Sequence, residues 1–200
     1  MESGMASIGL GFRAVRGGSI VVGVSVADRV PRLVVSTFLA TATEGDRIAF
    51  EPYHVAVENL GEAASIVAEG RARQAKLAAE GLKAILAKLE EPVIAALLVN
   101  RAGWITDLLA HSLSHPEHPP IAEGLAVRDA LRLAFTQCGV KAVEIDEKSL
   151  PNALGLAQDE IEMRLKEFGM AAGRPWRKEQ KLAALAAWLS LVDERRRLVE

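Results

Sequence analysis

Ser19-Ile20-Val21-Val22-Gly23-Val24-Ser25-Val26 is the stretch on which the fold turns. Its β-branched residues, bounded by Gly17-Gly18 before and the turn Ala27-Asp28-Arg29-Val30-Pro31 after, predict a strand. Upstream, residues 1–18 read as a flexible, glycine-rich lead-in, which leaves 19–200 as a single domain. Downstream, Arg32 to Ala42 and Arg47 to Val57 repeat the β-rich composition on either side of Thr43-Glu44-Gly45-Asp46, a polar link with the glycine a hairpin wants. Three consecutive antiparallel strands are expected.

The period then changes. From Gly61 to Glu90 the chain is rich in Ala, Glu, Lys and Arg, with Ile66, Leu77, Leu82, Ile85 and Leu89 at helical spacing. Pro92 stops that helix, and Val93 to Val99 is an unbroken apolar run of the kind a strand covered on both faces carries. Short helical signals over Trp104 to Leu113 and a clean stripe over Ala122 to Gln137 precede Gly139, a natural C-terminal cap. Lys141 to Asp146 alternates as a fifth strand, and two helices, Gln158 to Phe168 and Trp176 to Val199, close the chain. The expected architecture is α/β, a mixed five-stranded sheet flanked by helices.

Composition narrows the function. The 200 residues, 50% of them apolar, suffice for one core, and a formal net charge of -2 offers no overall attraction to nucleic acid or anionic membrane, so any such binding needs a local patch. The one cysteine, Cys138, cannot form an internal disulfide, which suits a reducing compartment. Gly9, Gly11 and Arg13 interrupt the apolar character of the N-terminus, and no run approaches the roughly 20 apolar residues of a membrane span. A cytoplasmic protein without a membrane partner is expected.

The order βββ-α-β-α-β-α resembles the ribonuclease H-like superfamily, and Ile20-Val21-Val22-Gly23-Val24-Ser25 resembles the first strand of its RuvC-type resolvases. The resemblance implies a set of carboxylates converging on Mg²⁺, which would hold the scissile phosphate and make a hydroxide. Carried over by position, the first-strand acid falls on Ser25, the fourth-strand acid on Asn100 or Arg101, and the last-helix acid near Lys178 or Lys181. None is a carboxylate. A degenerate, non-catalytic domain that binds nucleic acid or a protein partner, with no cofactor, is the leading expectation. The alternative is a divergent Mg²⁺-dependent nuclease or phosphohydrolase with ligands relocated to Asp28, Glu144, Asp146 or a histidine-bearing loop.

Other residues invite a role. His111 and His115 are four apart and His118 follows, a spacing that can gather metal ligands on a helix, although Pro116, Pro119 and Pro120 make the segment irregular. Glu144 and Asp146 alternate onto one face at a strand exit, where open α/β sheets bind ligands. Arg174, Arg177, Lys178 and Lys181 surround Trp176, a basic and aromatic set suited to nucleic acid or a partner. Arg71 and its basic neighbours on the long helix alternate with Glu69 and Glu80 and read as a solvated face. Trp188 falls at the edge of an apolar stripe and is a candidate dimer contact.

Overall fold

The computed structural model describes residues 8–28, 30–100 and 105–197. The sheet begins earlier than the β-branched composition suggests. Ile8–Val15 forms β1, and it is the central strand in the order β3-β2-β1-β4-β5. β2 (Gly18–Ala27) and β3 (Val30–Ala40) follow as antiparallel neighbours, while β4 (Val93–Val99) lies parallel to β1 and β5 (Lys141–Asp146) parallel to β4. The mixed five-stranded sheet with three antiparallel strands first therefore stands, but its opening strand is one earlier. Residues 8–18 are no lead-in; residues 1–7 lie outside the described part.

Glycine explains the displacement. Leu10 and Phe12 point to one face and are fully buried, whereas Gly9 and Gly11 point to the other, where α8 (Lys178–Arg197) descends onto the strand. A methyl group at position 11 would collide with the main-chain oxygen of Ala183, and one at position 9 with that of Ala187. The helix answers with Ala183, Ala184, Ala186 and Ala187, all fully buried. Small residues on both partners bring helix and strand backbones into contact.

Arg47 to Val57 is not a strand. It folds as α1 (Arg47–Phe50) and α2 (Pro52–Glu58). The Asp46 side chain accepts from the Ala49 amide at 3.1 Å, which caps α1 and turns the expected hairpin link into a helix entry. Pro52 opens α2, and its next two amides, of Tyr53 and His54, donate to Glu123 Oε1 at 2.8 and 3.1 Å. The cap for this helix thus comes from a carboxylate far along the chain.

Helices cover both faces. α3 (Ala63–Leu86) and α5 (Pro119–Gln137) lie over Leu10, Phe12, Val21, Ala95 and Leu97, with α2 packed outside them through Tyr53 and Ala56. α4 (Leu108–Ser114) leads into α5, and α6 (Leu150–Ala153) follows β5. α7 (Gln158–Ala172) and α8 cover Val22, Val24, Ala96, Leu98 and Ile145 on the opposite face. Trp188, expected at an edge and available to a second subunit, is instead 5% exposed and meets Phe168 edge-to-face at 6.4 Å. Among the described residues no helix is long and apolar enough to cross a membrane.

Candidate functional site

Parallel strands β1, β4 and β5 all run toward one end of the sheet. A cleft of about 630 Å³ opens at that end, walled by α3, α5 and the segment 105–109. α3 contributes Arg71; α5 contributes Arg128, Asp129 and Arg132; the strand exits contribute Asn100 and Glu144; Tyr53 and Asp107 complete the polar lining. Arg128 and Arg132 are four apart on α5, one turn of one helix face, which is why both reach the strand ends.

The charges are organised in pairs. Asp129 accepts from Arg71 at 2.8 Å and from Arg132 at 2.8 Å, and Arg132 also donates to Glu144 at 2.6 Å. Those hydrogen bonds raise the Arg132 pKa further, the Glu144 contact most. Arg128 is different. Its Nη1 donates to a neutral acceptor, Asn100 Oδ1, at 2.7 Å, and its buried Nε has no hydrogen-bond partner among the described residues. Burial, followed by repulsion from Arg132, lowers its pKa. Beside the cleft, burial pushes the Tyr53 hydroxyl up to about 12, opposed by Arg71. Glu123 is 2% exposed and held above the ordinary carboxylate range by burial.

At the same end of the sheet Arg13, on β1, donates to Glu147, just beyond β5, from Nε at 3.2 Å and from Nη2 at 3.3 Å. Because Gly9 faces Ala187 and Gly11 faces Ala183, α8 runs antiparallel to β1 and its first turn comes to this end too. Lys178 and Lys181 are exposed there, with Glu179 between them. Arg174, Arg177 and Lys181 rim a groove of about 1120 Å³ between α7 and α8 whose apolar wall includes Met163 and Met170. Trp176 does not stand free in it. The ring is partly buried against Gly169 and the core beneath, with its Nε1 out of solvent.

The remaining sequence candidates scatter. Ser25 pairs with Ile8, at the start of β1, and exposed Asp28 follows it, so both lie at the opposite end of the sheet from Asn100 and Glu144. Glu144 is committed to Arg132. Asp146 accepts from the Lys148 amide at 3.0 Å, shaping the turn after β5. His111 and His115 stack with ring centroids 4.7 Å apart, and His118 lies 3.7 Å from Glu117. Among the described residues no three or more His, Cys, Asp or Glu side chains gather where they could hold a metal ion. Arg101 lies outside the described residues.

No protein-family model and no curated protein matches the chain. Solved structures do. A Thermus thermophilus RuvC structure superposes with a TM-score of 0.57 at 13% identity, covering 94% of this chain and 96% of that one. T. thermophilus RuvC in complex with Holliday junction substrate superposes with a TM-score of 0.56 at 13% identity, covering 96% of each chain. The fold is ribonuclease H-like.

The opening strand of the sheet is β1, Ile8–Val15, a stretch with no carboxylate. Its polar side chain is that of Arg13. The sequence reading passed over Arg13, Arg128 and Arg132 and set Arg71 aside as solvated. The signal available was the pair Arg128 and Arg132 on one helix face, between an apolar strand and the acidic exit of the next. Asp129, which gathers two of these arginines, is placed by the same helical turn.

Proposed function

We propose that this ribonuclease H-like domain binds nucleic acid without cutting it, as a binding or scaffold protein of the cytoplasm. The observation that carries this reading is the Arg13–Glu147 ion pair at the exit of the central strand. Carried to β1 in place of β2, the first-strand acid that the resemblance placed at Ser25 falls where the Arg13 guanidinium stands and engages the Glu147 carboxylate. A divalent ion about 5 Å from that guanidinium would be opposed by on the order of 6 kcal/mol at an effective dielectric constant near 20. Asn100 at the exit of β4 and the lysines at the start of α8 add no anionic oxygen, so Glu147 and Glu179 would face the ion with cations beside them. Hard oxygen ligands are what Mg²⁺ selects, and this set does not fit it.

Binding is supported by cations at the same end of the sheet. Arg128 in the cleft and the exposed Arg174, Arg177, Lys178 and Lys181 around α8 supply positive charge at one end of a molecule that is otherwise slightly acidic. Phosphate contacts from such side chains give affinity that falls with salt. The test pairs two measurements on four-way junctions, single strands and RNA–DNA hybrids. Salt-sensitive binding without cleavage in Mg²⁺ or Mn²⁺ is expected, and sustained metal-dependent cutting would overturn the reading.

A further inference from the structure

We propose that the cleft beside Arg128 seats one phosphomonoester, the phosphorylated end of a strand or a free nucleotide, and not the continuous backbone of a nucleic acid. The inference rests on the nucleic-acid reading above and deepens it. Its basis is how charge is distributed in the cleft.

The cleft offers no positive lane. Asp129 and Glu144 already occupy Arg71 and Arg132, and Asp107 accepts from the Ala110 amide at 2.9 Å as the cap of α4. A chain of phosphodiesters laid through it would meet those carboxylates at every step, with no surplus cation to release counterions. A single anion meets a different surface. Arg128 is half-buried, its one hydrogen-bonded partner is the neutral Asn100, and its Nε has no acceptor among the described residues. Glu147 and Glu144 act on it only through space, burial and repulsion from Arg132 outweigh them, and a phosphate oxygen hydrogen-bonded to the guanidinium supplies what it lacks. A monoester carries close to two charges at neutral pH and three terminal oxygens, against one charge for a diester.

Size and chemistry of the remaining lining agree. About 630 Å³ lies within the range of small-ligand pockets, ~300–1,000 Å³. The carboxylates of Asp129 and Glu144 repel phosphate but accept hydrogen bonds from sugar hydroxyls or base amines. Beside the one arginine of the cleft to which they are not hydrogen-bonded among the described residues, they suit a ligand with one charged end and a hydroxyl-rich body.

The experiment titrates fluorescently labelled eight-nucleotide single strands, carrying a 5′-phosphate, a 3′-phosphate or hydroxyls at both ends, against the full chain, with AMP and inorganic phosphate as competitors. At least tenfold tighter binding of one phosphorylated strand than of the hydroxyl strand is expected. Arg128→Gln should abolish that difference and Arg128→Lys should keep part of it, with circular dichroism showing both variants folded. AMP competing as well as the phosphorylated strand identifies a free nucleotide as the source; weaker AMP identifies a strand end. Strands that bind equally with and without phosphate, or a preference untouched by Arg128→Gln, overturn the proposal and leave nucleic-acid binding standing. Binding of AMP but of no strand keeps the phosphomonoester and removes nucleic acid. No binding by any of these probes removes both.

Discussion

Arg13 and Glu147 hold each other through two contacts, at 3.2 and 3.3 Å, across a sequence separation of 134 residues. The pair joins the exit of β1 to the exit of β5 over the top of β4, which lies between them. Both side chains are about three-quarters buried, at 23% and 28% exposure, so solvent screens the pair less than it would a surface contact.

A double-mutant cycle on Arg13→Ala and Glu147→Ala measures what the pair contributes. A coupling of about 1 kcal/mol is expected, the upper end for exposed ion pairs, because this pair is largely buried. Urea denaturation of the four proteins gives the number, and coupling indistinguishable from zero would show that the two side chains are held by other contacts.

Glu123 makes stability depend on pH. Burial disfavours its carboxylate, so the folded chain holds this proton more tightly than the unfolded chain, whose value is near the ordinary 4.5. In the window opening there and running upward, the native state binds more protons, and the stability this confers, full at lower pH, is lost as pH rises. Relative to Glu123→Gln, the wild type should therefore lose stability as pH rises above about 4.5. Glu123→Ala removes the acceptor of two helix amides and should cost about 1–3 kcal/mol across that range. Denaturation at several pH values checks both signs.

Tyr53 is the one tyrosine of the chain, so ultraviolet titration of phenolate reads it directly. Ionisation should centre near 12 instead of the ordinary 10. The folded state retains the proton between those values, so stability should decline through that window, by on the order of 2 kcal/mol in total. Early ionisation, in a chain still folded by circular dichroism, would mean that the hydroxyl reaches water.

Trp188 tests core against interface. Trp188→Ala should destabilise the fold by about 3–5 kcal/mol, the cost of a large cavity beneath α8. Its folded fraction should elute from a sizing column with the wild type, because the ring packs on Phe168 inside the chain. A shifted elution volume with unchanged stability would return this tryptophan to a subunit contact.

Several features were plain from the sequence. β-branched runs located β2 and β3, the apolar heptad of β4 and the alternation of β5 were read at their observed places, and helical spacing located α3, α5, α7 and α8. These elements carry their own periodicity, and periodicity is a local property. The candidate site was less legible. Asn100 and Glu144 were singled out at strand exits and do line the cleft, but the arginines that give it its chemistry come from two helices, with Arg71 reaching an acid 58 residues away.

Residue type and spacing by themselves determined a mixed α/β sheet opening with antiparallel strands, and that order sufficed for the ribonuclease H-like resemblance. Only the tertiary structure decided that Ile8–Val15 is the central strand, because its glycines weaken local strand preference and are required only by the backbone of α8 lying on them. It also capped Pro52 to Glu58 as a helix, through a buried carboxylate from α5 that no local pattern announces. Which charges meet, and which cation is left beside a neutral partner, follows from packing between distant elements, where the free energy of a contact depends on neighbours that the sequence does not place side by side.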